Sequence, residues 1–311
     1  MRLSALRKAI TPLTALTTAT LLLAGCTASD TSKDPEASAP ATAPPQRAPA
    51  WPERPRSVAA VGDSITRGFD ACSLLSDCPE VSWVTGTDER VDSLAARLLG
   101  RPTGARSSSD SADSTVRGSW NLARSGASMA ELPGQMRQAA ARDPDLVAVL
   151  IGANDACRPT VDRMTPVADF RADFEAALAV LHRTAPEARV LVGSIPDLEQ
   201  LWRVGREHRL AKQVWQLGIC PSMLSNAGST APADRERRSA VSARVDAYNE
   251  VLEQTCAATP TCIWDGGAVH RFRFTTEQLS PWDWFHPSVD GQAELARILY
   301  RAAFGTEDRD W

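Results

Sequence analysis

In the stretch VAAVGDSITRGFD, residues 58–70, an apolar run meets Gly62, Asp63 and Ser64. A serine hydroxyl becomes a useful nucleophile when a base takes its proton, so a base must be found elsewhere in the chain. Of four histidines, His286 stands in SPWDWFHPS, three residues after Asp283. That spacing lets a tight loop return a carboxylate to the imidazole N–H, which fixes the tautomer and stabilises the imidazolium. His182, His208 and His270 sit in helical or loop contexts without such a partner and read as surface or structural residues. Two more polar clusters stand out: NLARSGAS carries Gly126, and VLIGANDAC carries Gly152, Asn154 and Asp155. An acyl-transfer site needs donors aimed at a tetrahedral oxyanion, and backbone N–H groups and a carboxamide are such donors. Gly126, lacking a Cβ, suits close backbone approach. Taken singly, each residue has a plainer reading: Ser64 as a helix N-cap, Asn154 as a turn residue.

The elements that must position these groups follow from periodicity. Short apolar or β-branched runs at 58–61, 120–123, 146–151, 190–195 and 262–265 predict strands. Helical patterns fall between most of them, at 94–99, 129–141, 170–183, 201–217, 239–256 and 292–304. Phe170, Phe174, Leu178 and Leu181 recur at helical spacing in one of these. Such alternation predicts a parallel sheet with helices on both faces. Gly62, Gly126 and Gly152 then follow strands, at the carboxyl edge where open α/β sheets bind ligands. Polar stretches at 101–119 and 225–237 read as surface excursions.

Gly62-Asp63-Ser64, Gly126, Gly152 with Asn154, and Asp283 with His286 together resemble the four signature blocks of the SGNH or GDSL hydrolase superfamily, in order and in spacing. The resemblance spans nearly all of residues 56–311. It implies an α/β fold, flavodoxin-like, three-layer α/β/α, with a five-stranded parallel sheet in the order 2-1-3-4-5. Thr66 stands where the elbow Gly-x-Ser-x-Gly of α/β-hydrolases needs its last glycine, which sets this chain apart from that fold. The resemblance implies Ser64 as nucleophile, His286 as base and Asp283 as its orienter. It implies an oxyanion hole of the Ser64 and Gly126 N–H groups and the Asn154 amide. Asp63, Gly152 and Asp155 support these loops, and neither cofactor nor metal is implied. NLARSGASMAELPGQM and GANDAC are similar to exported actinobacterial esterases and to phospholipase-B-like members. The implied function is hydrolysis of carboxylic esters through an acyl-enzyme, with phospholipase, lysophospholipase or carbohydrate acetylesterase activity as alternatives. Trp282, Trp284 and Phe285 either form an apolar mouth for an acyl chain or simply pack around the last loop. A solute-binding lipoprotein is the contrasting class; it needs two lobes, whereas one sheet is read here.

The ends and composition bear on location. Arg2, Arg7 and Lys8 precede an apolar stretch that ends in LLAGC at Cys26. Residues 1–25 thus resemble a lipoprotein signal peptide, which implies lipidation of Cys26; the alternative is an ordinary secretory signal. Residues 26–55 are rich in Pro, Ala, Ser and Thr and read as a tether, leaving 56–311 as the folded domain. Cleavage removes three cations and takes the formal charge from −4 to −7, which argues against nucleic acid as a partner. The expected partners are a small-molecule or lipid ester and, through the anchor, a membrane; a monomer is expected. Six cysteines remain after Cys26, an even number suited to three disulfides in an oxidising compartment. Fifteen pairings are possible. Nearness in sequence favours Cys72 with Cys78 and Cys256 with Cys262, leaving Cys157 with Cys220. No Cys-x-x-Cys suggests zinc.

Overall fold

In a computed structural model, residues 53–100 and 116–305 are described. The signal-like segment, Cys26, most of the tether and most of the 101–119 stretch lie outside them.

Among the described residues five strands form one sheet: β1 (Val58–Gly62), β2 (Ser119–Asn121), β3 (Leu146–Leu150), β4 (Arg189–Val192) and β5 (Cys262–Trp264). All neighbouring pairs are parallel, in the order β2-β1-β3-β4-β5. Both faces of β1 and β3 are buried, which is why these strands are unbroken apolar runs rather than alternating ones. Register places Gly62 opposite Leu150, and Val149 opposite Val192, so the strands end together along one edge.

Among the described residues ten α-helices surround the sheet: α1 (Leu94–Leu99), α2 (Leu132–Ala140), α3 (Ala153–Ala156), α4 (Val167–Thr184), α5 (Leu198–Gly205), α6 (Arg209–Trp215), α7 (Pro221–Leu224), α8 (Pro232–Ala257), α9 (Ala268–Arg271) and α10 (Val289–Phe304). α2, α4 and α8 pack in a row as one layer, while α1 and α10 meet in the other. Phe170, Phe174, Leu178 and Leu181 are the buried stripe of α4. No helix among the described residues is long and apolar enough to cross a membrane.

Several boundaries differ from those expected. The helical pattern at 201–217 is two helices, because the turn after Gly205 is locked by packing: a Cβ there would sit 2.4 Å from the Trp215 ring. Residues 232–237, expected as loop, are the first turns of α8, with Pro232 in the first turn, where its missing N–H costs nothing. β2 begins one residue earlier than expected and ends at Asn121, whose amide turns away to donate to the Thr66 carbonyl at 3.0 Å. Three disulfides join Cys72–Cys78, Cys157–Cys220 and Cys256–Cys262.

Candidate active site

β1 delivers Gly62 to the sheet edge under tight constraint. A Cβ there would lie 2.2 Å from the Leu150 carbonyl oxygen, and φ is 147°. The Gln135 side chain of α2 grips the same residue twice, accepting its N–H at 2.7 Å and donating to its carbonyl at 2.9 Å. Ser64 follows in a series of turns rather than at a helix start; Phe69 N–H bonds the Ser64 carbonyl at 3.0 Å. It is therefore not an N-cap, and its hydroxyl is engaged elsewhere.

That partner is His286. Its Nε2 lies 2.8 Å from Ser64 Oγ, although 222 residues separate them. Its Nδ1 contacts Asp283 Oδ2 directly. Asp283 Oδ1 accepts the N–H groups of Phe285 and His286, both at 2.9 Å, so the loop folds around its own carboxylate. Trp215 Nε1 of α6 donates to the Asp283 carbonyl at 2.9 Å and Ser280 N–H to the His286 carbonyl at 2.8 Å. Burial pushes the imidazole pKa down, but the Asp283 hydrogen bond and charge outweigh it and hold His286 above the usual histidine value. Burial likewise opposes ionisation of Asp283, and the imidazole contact overcomes it, leaving that carboxyl below the usual range.

Gly126 comes from the turn after β2, and Asn154 from the single turn of α3 that follows β3. Gly126 has φ 84°, and an added Cβ would meet nothing within 4 Å; its glycine answers to conformation and not to the close approach expected. Asn154 Nδ2 donates to the Ala127 carbonyl at 2.9 Å, which orients the carboxamide and leaves its second N–H available. Among the described residues, the Ser64 and Gly126 N–H groups have no protein acceptor. Gly152, two residues beyond β3, is the N-cap of α3.

Asp155 binds the two turns together, accepting Met129 N–H at 2.9 Å and the Thr165 hydroxyl at 2.7 Å. Asp63 accepts Ile65 N–H at 2.9 Å. It is 1% exposed, and burial pushes its carboxyl up to about 7.

Two of the other histidines have partners that the sequence did not indicate. His270 Nδ1 lies 2.9 Å from the Ile195 carbonyl and its Nε2 3.3 Å from Asp246, on α8. His208 stacks on Trp284 with ring centroids 4.4 Å apart. Trp284 and Phe285 are thus partly packed, while Trp282 is 43% exposed. Sequence reasoning also missed Gln135, Gln292 and Asp70. Gln292 of α10 accepts Trp83 N–H at 3.0 Å and donates to the Ile65 carbonyl at 2.8 Å. Inward-facing amides on amphipathic helices look like solvent-facing ones until the packing is known.

A parallel α/β sheet with a serine–imidazole–carboxylate relay at its carboxyl edge has the architecture of a serine hydrolase. A model of the GDSL-like lipase/acylhydrolase family matches residues 58–299, and the chain belongs to that family, whose members are ester-bond hydrolases. No curated protein matches the sequence. Among solved structures the chain is similar to the extracellular lipase of Streptomyces rimosus, at 19% identity over 79% of this chain and 99% of that one, TM-score 0.46. It is also similar to phospholipase A1 of Streptomyces albidoflavus, at 17% identity over 80% and 100%, TM-score 0.45. A family two carbohydrate esterase of Cellvibrio japonicus aligns at 14% identity over 81% and 63%, TM-score 0.45.

Proposed function

We propose that this protein is an exported serine esterase that cleaves carboxylic esters with an aliphatic part through an acyl-enzyme. The observation that carries the reading is the unbroken contact from Ser64 Oγ through the His286 ring to Asp283. His286 Nε2 takes the hydroxyl proton as Ser64 Oγ attacks the ester carbonyl carbon. The carbonyl oxygen gains the charge and is received by the Ser64 and Gly126 N–H groups and the free Asn154 N–H. The imidazolium returns its proton to the departing alcohol, and the Ser64 acyl ester remains. Water then attacks the acyl carbon as it gives a proton to the same imidazole, and the imidazolium returns that proton to Ser64 Oγ as the acid leaves. Asp283 stays ionised throughout and stabilises the imidazolium.

The aliphatic preference is supported by the segments that brace the His286 loop. The exposed large apolar side chains among the described residues are Leu74, Leu75, Leu210, Leu217 and Trp282. All belong to segments tied to the His286 loop. Leu75 N–H bonds Asp70, whose carbonyl accepts the Ser280 hydroxyl; Leu210 and Leu217 lie on or just after α6, which holds Asp283 through Trp215. Exposed apolar residues on the segments that brace the His286 loop favour substrates with hydrocarbon to bury. Export is supported by three disulfides, which persist in oxidising compartments.

A fluorophosphonate probe should label the wild type and not Ser64→Ala, with the two proteins melting alike. Near-wild-type turnover by purified Ser64→Ala would overturn the serine-esterase reading. In a panel of esters varying in acyl length, kcat/KM should rise from acetyl to medium chains; a maximum at acetylated glycans would favour the acetylesterase alternative instead.

A further inference from the structure

A third carboxyl stands behind the relay. Asp70 lies six residues after Ser64, next to the loop that the Cys72–Cys78 disulfide closes, and is 1% exposed. Its backbone is in the left-handed region at φ 57°. Three bonds hold it there. Its N–H donates to the Ser76 carbonyl at 2.9 Å, its Oδ1 accepts Leu75 N–H, and its carbonyl accepts the buried Ser280 hydroxyl at 2.7 Å. The last of these ties Asp70 to the loop that carries Asp283 and His286. Side-chain donor or acceptor atoms of Asp70, Asp283 and His286 all lie within 4.8 Å of one another.

Two carboxylates have only acceptor atoms, so a hydrogen bond between them requires one proton on the pair. The surroundings decide which residue carries it. Asp283 receives three N–H groups, from the Phe285 and His286 backbones and from the imidazole, and these favour its ionised form. Asp70 receives one, from Leu75. Asp283 and His286 act on Asp70 from the neighbouring loop, and Asp63 acts on His286 from the turn after β1. Burial and the Asp283 charge both push the Asp70 carboxyl up, in the same direction as the geometry.

We propose that Asp70 is a positioning residue of the hydrolase: its protonated carboxyl donates to Asp283 and fixes that carboxylate against His286 Nδ1, the pair carrying one proton and one negative charge. The role rests on His286 acting as the base. It gives the bond that ties Asp70 to the His286 loop a role at the reactive centre. It also lets Asp283 remain a single, oriented charge.

Two substitutions separate this role from its alternatives. Asp70→Asn keeps the shape, an acceptor for Leu75 and a donor for Asp283, but has no proton to lose. Asp70→Ala removes the donor. Asp70→Asn should keep kcat within about threefold of wild type and leave the acid limb of the pH profile in place. Asp70→Ala should lower kcat by about tenfold, the scale of one lost hydrogen bond, with KM unchanged. In infrared spectra near neutral pH, the wild type should show a protonated-carboxyl stretch that Asp70→Asn lacks. An acid limb displaced to lower pH in Asp70→Asn would instead make Asp70 an ionised counter-charge and overturn the proposal, as would wild-type kcat and profile in Asp70→Ala. Should Asp70→Ala fail to fold, Asp70→Asn and the infrared band decide alone. The band is read in the Ser64→Ala background too, so a shared proton can be found or refuted even if the esterase reading fails.

Discussion

As the base proposed for Ser64, His286 must be neutral to act, and the Asp283 carboxylate holds its pKa above the usual histidine value. The acid limb of kcat/KM should therefore lie above that value in the wild type and move to lower pH in Asp283→Ala, where the charge that favours imidazolium is gone. His286→Ala should be nearly as inactive as Ser64→Ala, whereas Asp283→Ala should retain more activity; the reverse ranking would mean that base and orienter are misassigned. Asp63 offers a test through stability. Its carboxyl is raised from 3.8 to about 7 in the folded state by burial, so folding favours the protonated form. The associated stability is present below pH 3.8 and is lost as pH rises to about 7, up to about 4 kcal/mol in all. Asp63→Asn, which still offers an oxygen to Ile65 N–H, should match the wild-type melting temperature near pH 4 and exceed it near pH 8. Melting curves that stay parallel across pH would refute a buried, proton-holding Asp63.

At the scale of elements, the site depends on β1 ending against β3. The Leu150 carbonyl and Thr66 leave no space for a side chain on Gly62, and the Gln135 amide holds its backbone in place. Gly62→Ala must displace β3 backbone or shift the turn that carries Ser64. It should cost about 2 kcal/mol or more, read as a lower denaturant midpoint, and should reduce kcat more than KM because the nucleophile moves relative to His286. An unchanged midpoint would show that the edge yields more easily than the register implies. The His286 loop is braced from two other elements, through Trp215 of α6 and through Ser280 against Asp70, so its order is a property of the assembly and not of the SPWDWFHPS segment alone.

For the whole molecule, the Cys157–Cys220 bridge spans 63 residues and joins the segment after α3 to α7. In the chain-entropy model such a loop contributes about 4 kcal/mol, against about 2 kcal/mol for either six-residue bridge. That contribution is realised where disulfides form, which accords with an exported enzyme. If Cys26 is the lipidated residue, Cys26→Ser should leave the enzyme unanchored, recovered in the soluble fraction or as a larger precursor, with its esterase activity intact. Membrane association unchanged in that variant would remove the anchor.

Some of this was legible in one dimension because the physics is local. Apolar runs such as 146–151 report strands buried on both faces, and a glycine after each run reports a sharp turn, so the sheet, its sites and the pairing of close cysteines follow from short windows. Asp283 and His286 belong to one tight loop, and their relation is equally local. What only the tertiary structure decided is long-range. His286 meets Ser64 across 222 residues, and Gln135 reads as one more polar position on α2 until β1 is packed against it. Asp70 carries no local signal at all: a carboxyl in a loop looks solvated until another loop buries it against a second carboxyl, and its chemistry then follows from that neighbour.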